Sequence, residues 1–426
     1  MQSDATIFIE IFPENFVKVD RLLRELAFHR VSDPLVDRRH DYIYESKKAG
    51  ALKREIKEVN GEMMLNKSTL DFYRGKKVFV TGSTGFKASW LIHILLNIGA
   101  IVTGYALEPP TDPALFCVIG LDQDARLNQH YSDIRNLDKL KNSFEASQPE
   151  IVFHLAAQPI VRDSFRNPVN TYSTNVMGTV NVCECVRQTD SVRSFLNVTT
   201  DKVYKNNEWE WGYRETDVLG GLDPYSNSKS CSELITHSFY ESYFTDGRVG
   251  VSTARAGNVI GGGDFSNDRI VPDCVRALQS DGIISVRNPN SIRPYEHVLE
   301  PLFAYLMIAK AQYEDVSYAS CYNVGPDDQD CVSTGNLVTL FCDIWNEKAF
   351  GVKASWVNKA EENRLYEANF LKLDCSKLKN VFGWRPHWHI DETIRQTVNW
   401  TKVWMDGGDR DAICEEMDRE IELFFI

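Results

Sequence analysis

The chain is 426 residues long, 43% hydrophobic and 25% charged, the balance of a globular protein with room for one large domain or two. A formal net charge of −13 argues against a nucleic-acid surface or a polybasic membrane patch. Ten cysteines are scattered, with Cys183 and Cys185 the closest pair and no Cys-x-x-Cys, which suits buried thiols in a reducing compartment rather than a disulfide framework or a zinc site.

Residues 1–66 carry no catalytic motif. A strand-like run over 7–12 and helical spacing over 17–29 give way to mixed charges over 38–62, so a solvated extension of unknown role is expected. No basic region followed by a long apolar core opens the chain, and no signal peptide is expected.

The pattern sharpens at Gly75. Residues 77–80 read as a short buried strand, 81–88 (Thr-Gly-Ser-Thr-Gly-Phe-Lys-Ala) as a glycine turn opening a helix to about Asn97, and 101–105 as a second strand. This is a βαβ unit. Gly82 permits the tight turn, Gly85 lets a pyrophosphate approach the backbone, and Ala88 is small enough for the helix to pack on the sheet. No Lys or Arg lies between Lys87 and Arg126, and the first charged residues after the second strand are Glu108 and Asp112. That favours NAD over NADP, whose 2′-phosphate asks for a cation there. The most apolar segment, 90–102, is broken by His93, Asn97 and Gly99, so it reads as helix and strand and not as a membrane span.

The alternation continues. Asp133 and Ile134 follow a short strand pattern, 137–147 is helical, and 151–155 is a buried strand ending in Ala156 and Ala157, small residues that leave room for a cofactor. A helical pattern runs from Pro168 to about Val186, another from Tyr225 to about Phe244, and a strand over 249–255. Repeated βα units predict an α/β fold with a Rossmann-type, doubly wound parallel sheet and a smaller C-terminal α/β part. Past Arg255 the order loosens. The glycine-rich run 256–264 reads as a loop over a substrate, 371–374 as a strand and 393–404 as the final helix. Arg269, Arg287, Arg293 and His297 are the basic groups there that could meet a diphosphate. The expected organisation is an extension (1–66), an NAD-binding domain (67–255) and a mainly substrate-binding domain (256–426).

The reactive groups cluster in residues 197–229. Thr200, Asp201 and Lys202 follow the buried strand 195–198, at the carboxyl end where open α/β sheets bind ligands. Tyr225 and Lys229 stand four apart behind the helix-entry signal Asp223-Pro224, hence on one helix face. An ammonium near a phenol favours the phenolate, which makes Tyr225 a candidate base.

In order, Gly82, Gly85, Ala88, Thr200, Tyr225 and Lys229 resemble the motifs of the extended short-chain dehydrogenase/reductase family. Within it the segments 82–90 (GSTGFKASW), 148–162 (QPEIVFHLAAQPIVR), 171–181 (TYSTNVMGTVN), 223–230 (DPYSNSKS), 255–264 (RAGNVIGGGD) and 292–302 (IRPYEHVLEPL) are similar to sugar-nucleotide 4,6-dehydratases of the CDP-sugar branch. The resemblance implies CDP-glucose as substrate, loss of water across C5 and C6, and a role in deoxysugar synthesis, lipopolysaccharide O-antigen included. It implies NAD held by Gly82, Gly85, Phe86, Lys87, Asp133, Ile134, Leu155, Ala156, Ala157, Asn175, Tyr225 and Lys229, and substrate held by Asn258, Arg269, Arg293 and His297, with no metal. Tyr225 would deprotonate the sugar 4-hydroxyl, Lys229 bind the nicotinamide ribose, Thr200 hold the 4-oxygen, and Asp201 and Lys202 serve as acid and base of the elimination. A cytoplasmic homodimer or homotetramer joined through helices 168–186 and 225–244 is expected. Departures from the family pattern are Ser83 in place of His, Ala88 in place of Gly, and Tyr366-Glu367-Ala368-Asn369-Phe370 in place of His-Glu-Ala-His-Tyr. An epimerase on the same fold would have no use for an acid/base pair after Thr200. A non-catalytic NAD-binding protein would have no need of Tyr225 and Lys229.

Overall fold

Strand β1 (Lys77–Thr81) is the hinge of the topology. The computed structural model describes residues 66–348, 351–359 and 370–425; the expected elements over 7–12 and 17–29 and the segment 366–369 lie outside them. From β1 the chain runs through α1 (Phe86–Asn97), β2 (Ile101–Ala106) and β3 (Leu127–Tyr131) to one sheet edge. It then returns through α2 (Leu137–Ser147) to β4 (Ile151–His154) on the other side of β1, and continues through α3 (Gly178–Gln188), β5 (Ser194–Val198), α4 (Pro224–Tyr243) and β6 (Gly250–Ala256). The sheet has seven parallel strands in the order β10-β6-β5-β4-β1-β2-β3, β10 being Cys321–Val324. The strand order reverses between β1 and β4, and a crevice opens there at the carboxyl ends. Thr81 pairs with His154 at that point.

Both faces of the sheet are covered, so its strands need apolar side chains on both sides. Phe79, Tyr105, Val152 and Phe195 pack with Phe144, Val182 and Val186 on one face. On the other lies α6 (Leu299–Glu314), packed on β5 and β6 and buried from Leu299 through Ala309. Helix α1 is buried from Ala88 to Leu96, which explains a sequence apolar all round. Truncating a fully enclosed side chain here, as in Leu91→Ala, costs about 2–5 kcal/mol.

The rest of the chain builds a smaller layer beside the carboxyl edge. It comprises β7 (Asn258–Ile260), α5 (Ile270–Leu278), β8 (Ile283–Val286), β9 (Ile292–His297), β11 (Cys331–Ser333), α7 (Thr334–Lys348), β12 (Ser355–Asn358), α8 (Ile390–Met405) and α9 (Arg410–Phe425). Strand β9 pairs with β7 and β11, and β8 pairs with β12. Ile284, Val286, Tyr295, Leu337, Phe341, Ile394 and Val398 form its core.

Three expectations need correcting. Residues 371–374 make only isolated bridges, Leu373 to Tyr213 and the neighbouring Phe370 to Ile292, because the segment meets one residue of a loop and one end of a strand before turning into the short helix Ser376–Phe382. The helix expected to be last, 393–404, is α8, and α9 follows it. The helical run 168–186 is interrupted by one π-turn, Ser173–Met177. Gly178 follows it at a point where a β-carbon would lie 2.3 Å from Ile134 Cδ1.

Candidate active site

The turn after β1 is shaped by contact with the end of β4. Gly82 has φ +71°, and a β-carbon there would lie 2.8 Å from Ala156 Cα, so a side chain is excluded by conformation and by space. Gly85 caps α1 with no side-chain hydrogen bond, and no acidic residue stands in the first turn. The N–H groups of that turn are therefore available to an anion. Asn175, in the π-turn, accepts from Gln158 N (2.8 Å) and donates to Gln158 O and to Ser228 Oγ, fixing the loop after β4 against α4.

Helix α4 owes its start to Asp223, whose side chain accepts from Ser226 N at 2.9 Å, and to Pro224 at its first turn, a pairing that fixes the entry angle. Tyr225 and Lys229 then face the end of β5. There Thr200 caps the short turn Asp201–Val203, accepting from Lys202 N at 3.4 Å and donating to Asp201 Oδ1 at 2.8 Å. Below them lies a buried ion pair: Arg255 meets Glu233 at 2.9 Å, and Glu233 also accepts from Thr199 and Thr253. Removing one partner of such a pair costs about 3–5 kcal/mol.

These groups line one cleft of about 550 Å³, a volume suited to a small-molecule ligand. Lys87, Leu155, Ala157, Thr200, Asp201, Lys202, Tyr225, Lys229, Asn258, Arg269 and Arg293 all contribute to its wall. Arg162 and Arg287, on either side of Asp268 at 3.8 and 2.7 Å, extend it, and Arg269 lies 3.3 Å from Asp264. Gly82, Gly85, Phe86 and Ala156 belong to the turn next to it. Asp133, in an ion pair with Arg135 at 2.5 Å, and Ile134, buried beside Gly178, lie beyond β3.

His297 is placed differently from the expectation. It is fully buried, with Nε2 3.3 Å from Glu420 Oε2 and its ring against Trp90 and Trp388, and it does not line the cleft. Burial pushes its imidazole down to about 3, so it is neutral and suited to a core and not to a diphosphate. Arg162 was not singled out in the sequence. Its partner Asp268 is far away along the chain, and only the fold brings the two together.

Burial sets the protonation of the site. It pushes the Lys229 ammonium down to about 7, with the Lys87 cation adding to the effect, and Lys229 Nζ donates to Val198 O at 3.0 Å. It pushes the Tyr225 phenol up to about 12 against the opposing hydrogen bond with Thr200 and the Arg269 charge. The cation that opposes burial at Tyr225 is thus Arg269 and not the expected Lys229. Burial also raises the Asp201 carboxyl, opposed by Lys202, Thr200 and Arg293. A buried carboxyl held toward its neutral form beside a phenol is an acid placed to give up a proton.

The sequence profile of the GDP-mannose 4,6 dehydratase family matches residues 79–397. The chain belongs to this family. A CDP-glucose 4,6-dehydratase of Salmonella typhimurium is 46% identical over 354 residues, covering 82% of this chain and 96% of that protein. A dTDP-glucose 4,6-dehydratase of Haemophilus influenzae is 25% identical, covering 76% and 97%. Among solved structures, the Thermotoga maritima UDP-glucose 4-epimerase superposes with a TM-score of 0.66 at 20% identity, covering 77% of this chain and 99% of that one. The Bacillus anthracis dTDP-glucose 4,6-dehydratase, solved with NAD, superposes with a TM-score of 0.64 at 19% identity, covering 77% and 96%. These solved structures thus share the fold of this chain.

Proposed function

We propose that this chain is an NAD-dependent lyase converting CDP-D-glucose to CDP-4-dehydro-6-deoxy-D-glucose and water. The observation that carries the reading is Asp201, a buried carboxyl raised toward its acid form, hydrogen-bonded to Thr200 and lining the same cleft as Tyr225. Oxidation and re-reduction at C4 alone, as in an epimerase, would need no such acid. The 46% identity to the Salmonella enzyme names the nucleotide.

The uncapped first turn of α1, with Gly82 and Gly85 free of side chains, fits a pyrophosphate, and the buried Lys229 fits a ribose hydroxyl. NAD, when bound, supplies the acceptor for the C4 hydride and its donor to C6. The chain does the rest. Tyr225 takes the proton of the 4-hydroxyl, Thr200 holds the 4-oxygen, Lys202 removes the proton at C5 once the ketone has acidified it, and Asp201 protonates the departing 6-hydroxyl. The arginines at 162, 269, 287 and 293 offer forked donors to the diphosphate. Residues 67–255 would serve the cofactor and 256–426 mainly the sugar nucleotide, feeding deoxysugar synthesis. No helix among the described residues is long and apolar enough to cross a membrane, in keeping with a cytoplasmic enzyme. A homodimer or homotetramer would form through α4 and the helical run 168–186.

The test is incubation with CDP-glucose and catalytic NAD. The alkali-induced absorbance of a 4-keto-6-deoxy sugar should appear without net formation of reduced nicotinamide. Stoichiometric reduced nicotinamide, or no reaction with CDP-glucose, would overturn the reading.

A further inference from the structure

The turn that holds Thr200, Asp201 and Lys202 is an arch, and both of its feet stand on one ion pair. At the near foot, Thr199 N donates to Ala254 O at 2.8 Å, a rung that ties the chain to β6. The Thr199 hydroxyl donates to Glu233 Oε1 on α4 and lies 3.4 Å from Ala254 O. Thr199 belongs to the cleft wall, yet this bond turns its hydroxyl toward the helix. At the far foot, the Tyr204 hydroxyl accepts from Arg255 Nη1 at 2.8 Å and donates to Asn323 Oδ1 at 2.6 Å. The Arg255 guanidinium lies 5.1 Å from the Tyr204 ring centre. Arg255 Nη2 donates to Glu233 Oε2 at 2.9 Å, and Thr253 donates to the same oxygen at 2.7 Å. The path Thr199–Glu233–Arg255–Tyr204 therefore closes a chord beneath the arch. Between the feet, Val203 O accepts from Ser230 Oγ, also on α4, at 2.7 Å.

The chord stands in register with the proposed base. Tyr225, Lys229 and Glu233 follow one another at intervals of four, hence on one stripe of α4. A single helix thus presents Tyr225 to the cleft and grips the arch that presents Thr200, Asp201 and Lys202. Thr199, Glu233 and Arg255 are each 4% exposed and Tyr204 is 1% exposed, so water does not compete for these bonds. Arg255 Nε is buried with no hydrogen-bond partner among the described residues. A buried ion pair with an unmet donor is a poor source of stability, since apolar residues of similar volume often do as well. What a planar, forked guanidinium does provide is direction, holding two groups at a fixed angle.

We infer, resting on the dehydratase reading, that Glu233 and Arg255 are positioning residues: through Thr199 and Tyr204 they hold the arch so that Asp201 and Lys202 meet C6 and C5 of the sugar while Tyr225 meets C4. They act through the two feet and not on the substrate. A displacement of about 1 Å at reacting groups costs roughly 10²-fold in rate. The glycine turn after β1 and the cleft arginines at 162, 269, 287 and 293 lie outside the chord, so binding is spared.

Replacing either member of the pair strands the other charge, so the test cuts the tethers instead. Thr199→Val removes the hydroxyl and keeps the shape; Thr199→Ser keeps the hydroxyl. Formation of the 4-keto sugar from CDP-glucose by the NAD-loaded enzyme is measured well below the melting transition, with the melting temperature of each variant alongside. Positioning predicts that Thr199→Val lowers kcat about tenfold or more, that KM stays within about twofold, and that Thr199→Ser restores the parent rate. A purely structural role predicts a lower melting temperature with kcat per folded molecule unchanged. That outcome, a loss confined to KM, or a serine variant as slow as the valine one overturns the inference. Should Thr199→Val not fold, Tyr204→Phe cuts the far foot, leaves the ring over Arg255, and is expected to show the same fall in kcat at unchanged KM. If neither variant folds, the pair holds the fold and not the arch, and the inference falls. A parent that makes no 4-keto sugar from CDP-glucose overturns the dehydratase reading and the roles given to the arch with it; an active parent matched by an equally fast valine variant overturns the positioning alone.

Discussion

Tyr225 meets the cleft with a phenol that burial pushes up to about 12, so its proposed work as a base depends on cations brought to it. Arg269 is one that the chain provides. Tyr225→Phe removes the proton acceptor and leaves the Asp223 cap of α4 intact. Turnover should fall by well over tenfold while the far-ultraviolet spectrum stays that of the parent; initial rates within tenfold, a barrier change of about 1.4 kcal/mol, would remove Tyr225 from the role. Asp201→Asn should still oxidise C4 but eliminate water slowly, by roughly 10²–10⁴. Stopped-flow absorbance should therefore show reduced nicotinamide persisting in the variant and passing quickly in the parent. Equal transients in the two would make Asp201 structural. That the five residues proposed to be catalytic share one cleft was legible because one stretch of 33 residues carries them, three at a strand end and two a helical turn apart. His297 was misplaced because a sequence shows that a residue can carry charge but not whether the fold leaves it room to. The Arg162–Asp268 pairing was invisible because it exists only across the folded cleft.

At the scale of elements, α2, α4 and the strands β1, β2, β4, β5 and β6 were read to within a residue or two, and Asn136 and Asp223 mark two helix starts; the edge strand β10 was not read. Helix α9 also escaped. It buries Ile413, Met417, Glu420 and Phe424, a helical stripe with a carboxyl where an apolar residue is expected. That carboxyl faces His297 across the seam with β9, near Glu300, Glu392, Glu416 and Arg419. Burial raises Glu420 well above 4.5 and lowers His297 from 6.5 to about 3. The folded state thus keeps the Glu420 proton that the unfolded chain loses above 4.5, and refuses the His297 proton that the unfolded chain gains below 6.5. Glu420 therefore costs stability as pH rises above 4.5 and His297 costs stability as pH falls below 6.5, each by about 1.4 kcal/mol per pH unit. The seam should be most stable between those values. Glu420→Gln removes the first cost, so its melting temperature should gain on the parent progressively from pH 5 to pH 8. A difference that stays constant with pH would mean that Glu420 is ionised in the fold.

For the whole molecule, the doubly wound sheet and its crevice followed from the order of strands and helices. The smaller C-terminal α/β part was expected, but its strands were not read, because β7, β8, β9, β11 and β12 are short and pair across long stretches of chain. The proposed pairing of copies is also not written in periodicity; it depends on which apolar side chains the fold leaves outside. Helix α4 packs alongside the helical run 168–188, and together they leave Val169 (78%), Leu234 (57%), Met177 (51%) and Tyr243 (51%) exposed. Large side chains left open on adjoining helices mark an interaction surface. If two copies meet there about a twofold axis, each helix pair faces its counterpart and every residue acts twice. A single charge then enters the interface in two symmetric positions, with no partner in either. On that arrangement Leu234→Arg should convert a parent dimer to single chains in sedimentation velocity, with secondary structure unchanged, because Leu234 is more than half exposed. Arg substitution at Val357, an exposed residue on β12 well away from these helices, should leave the assembly intact. If Leu234→Arg sediments as the parent does, or if both variants dissociate, the helical face is not where the copies meet.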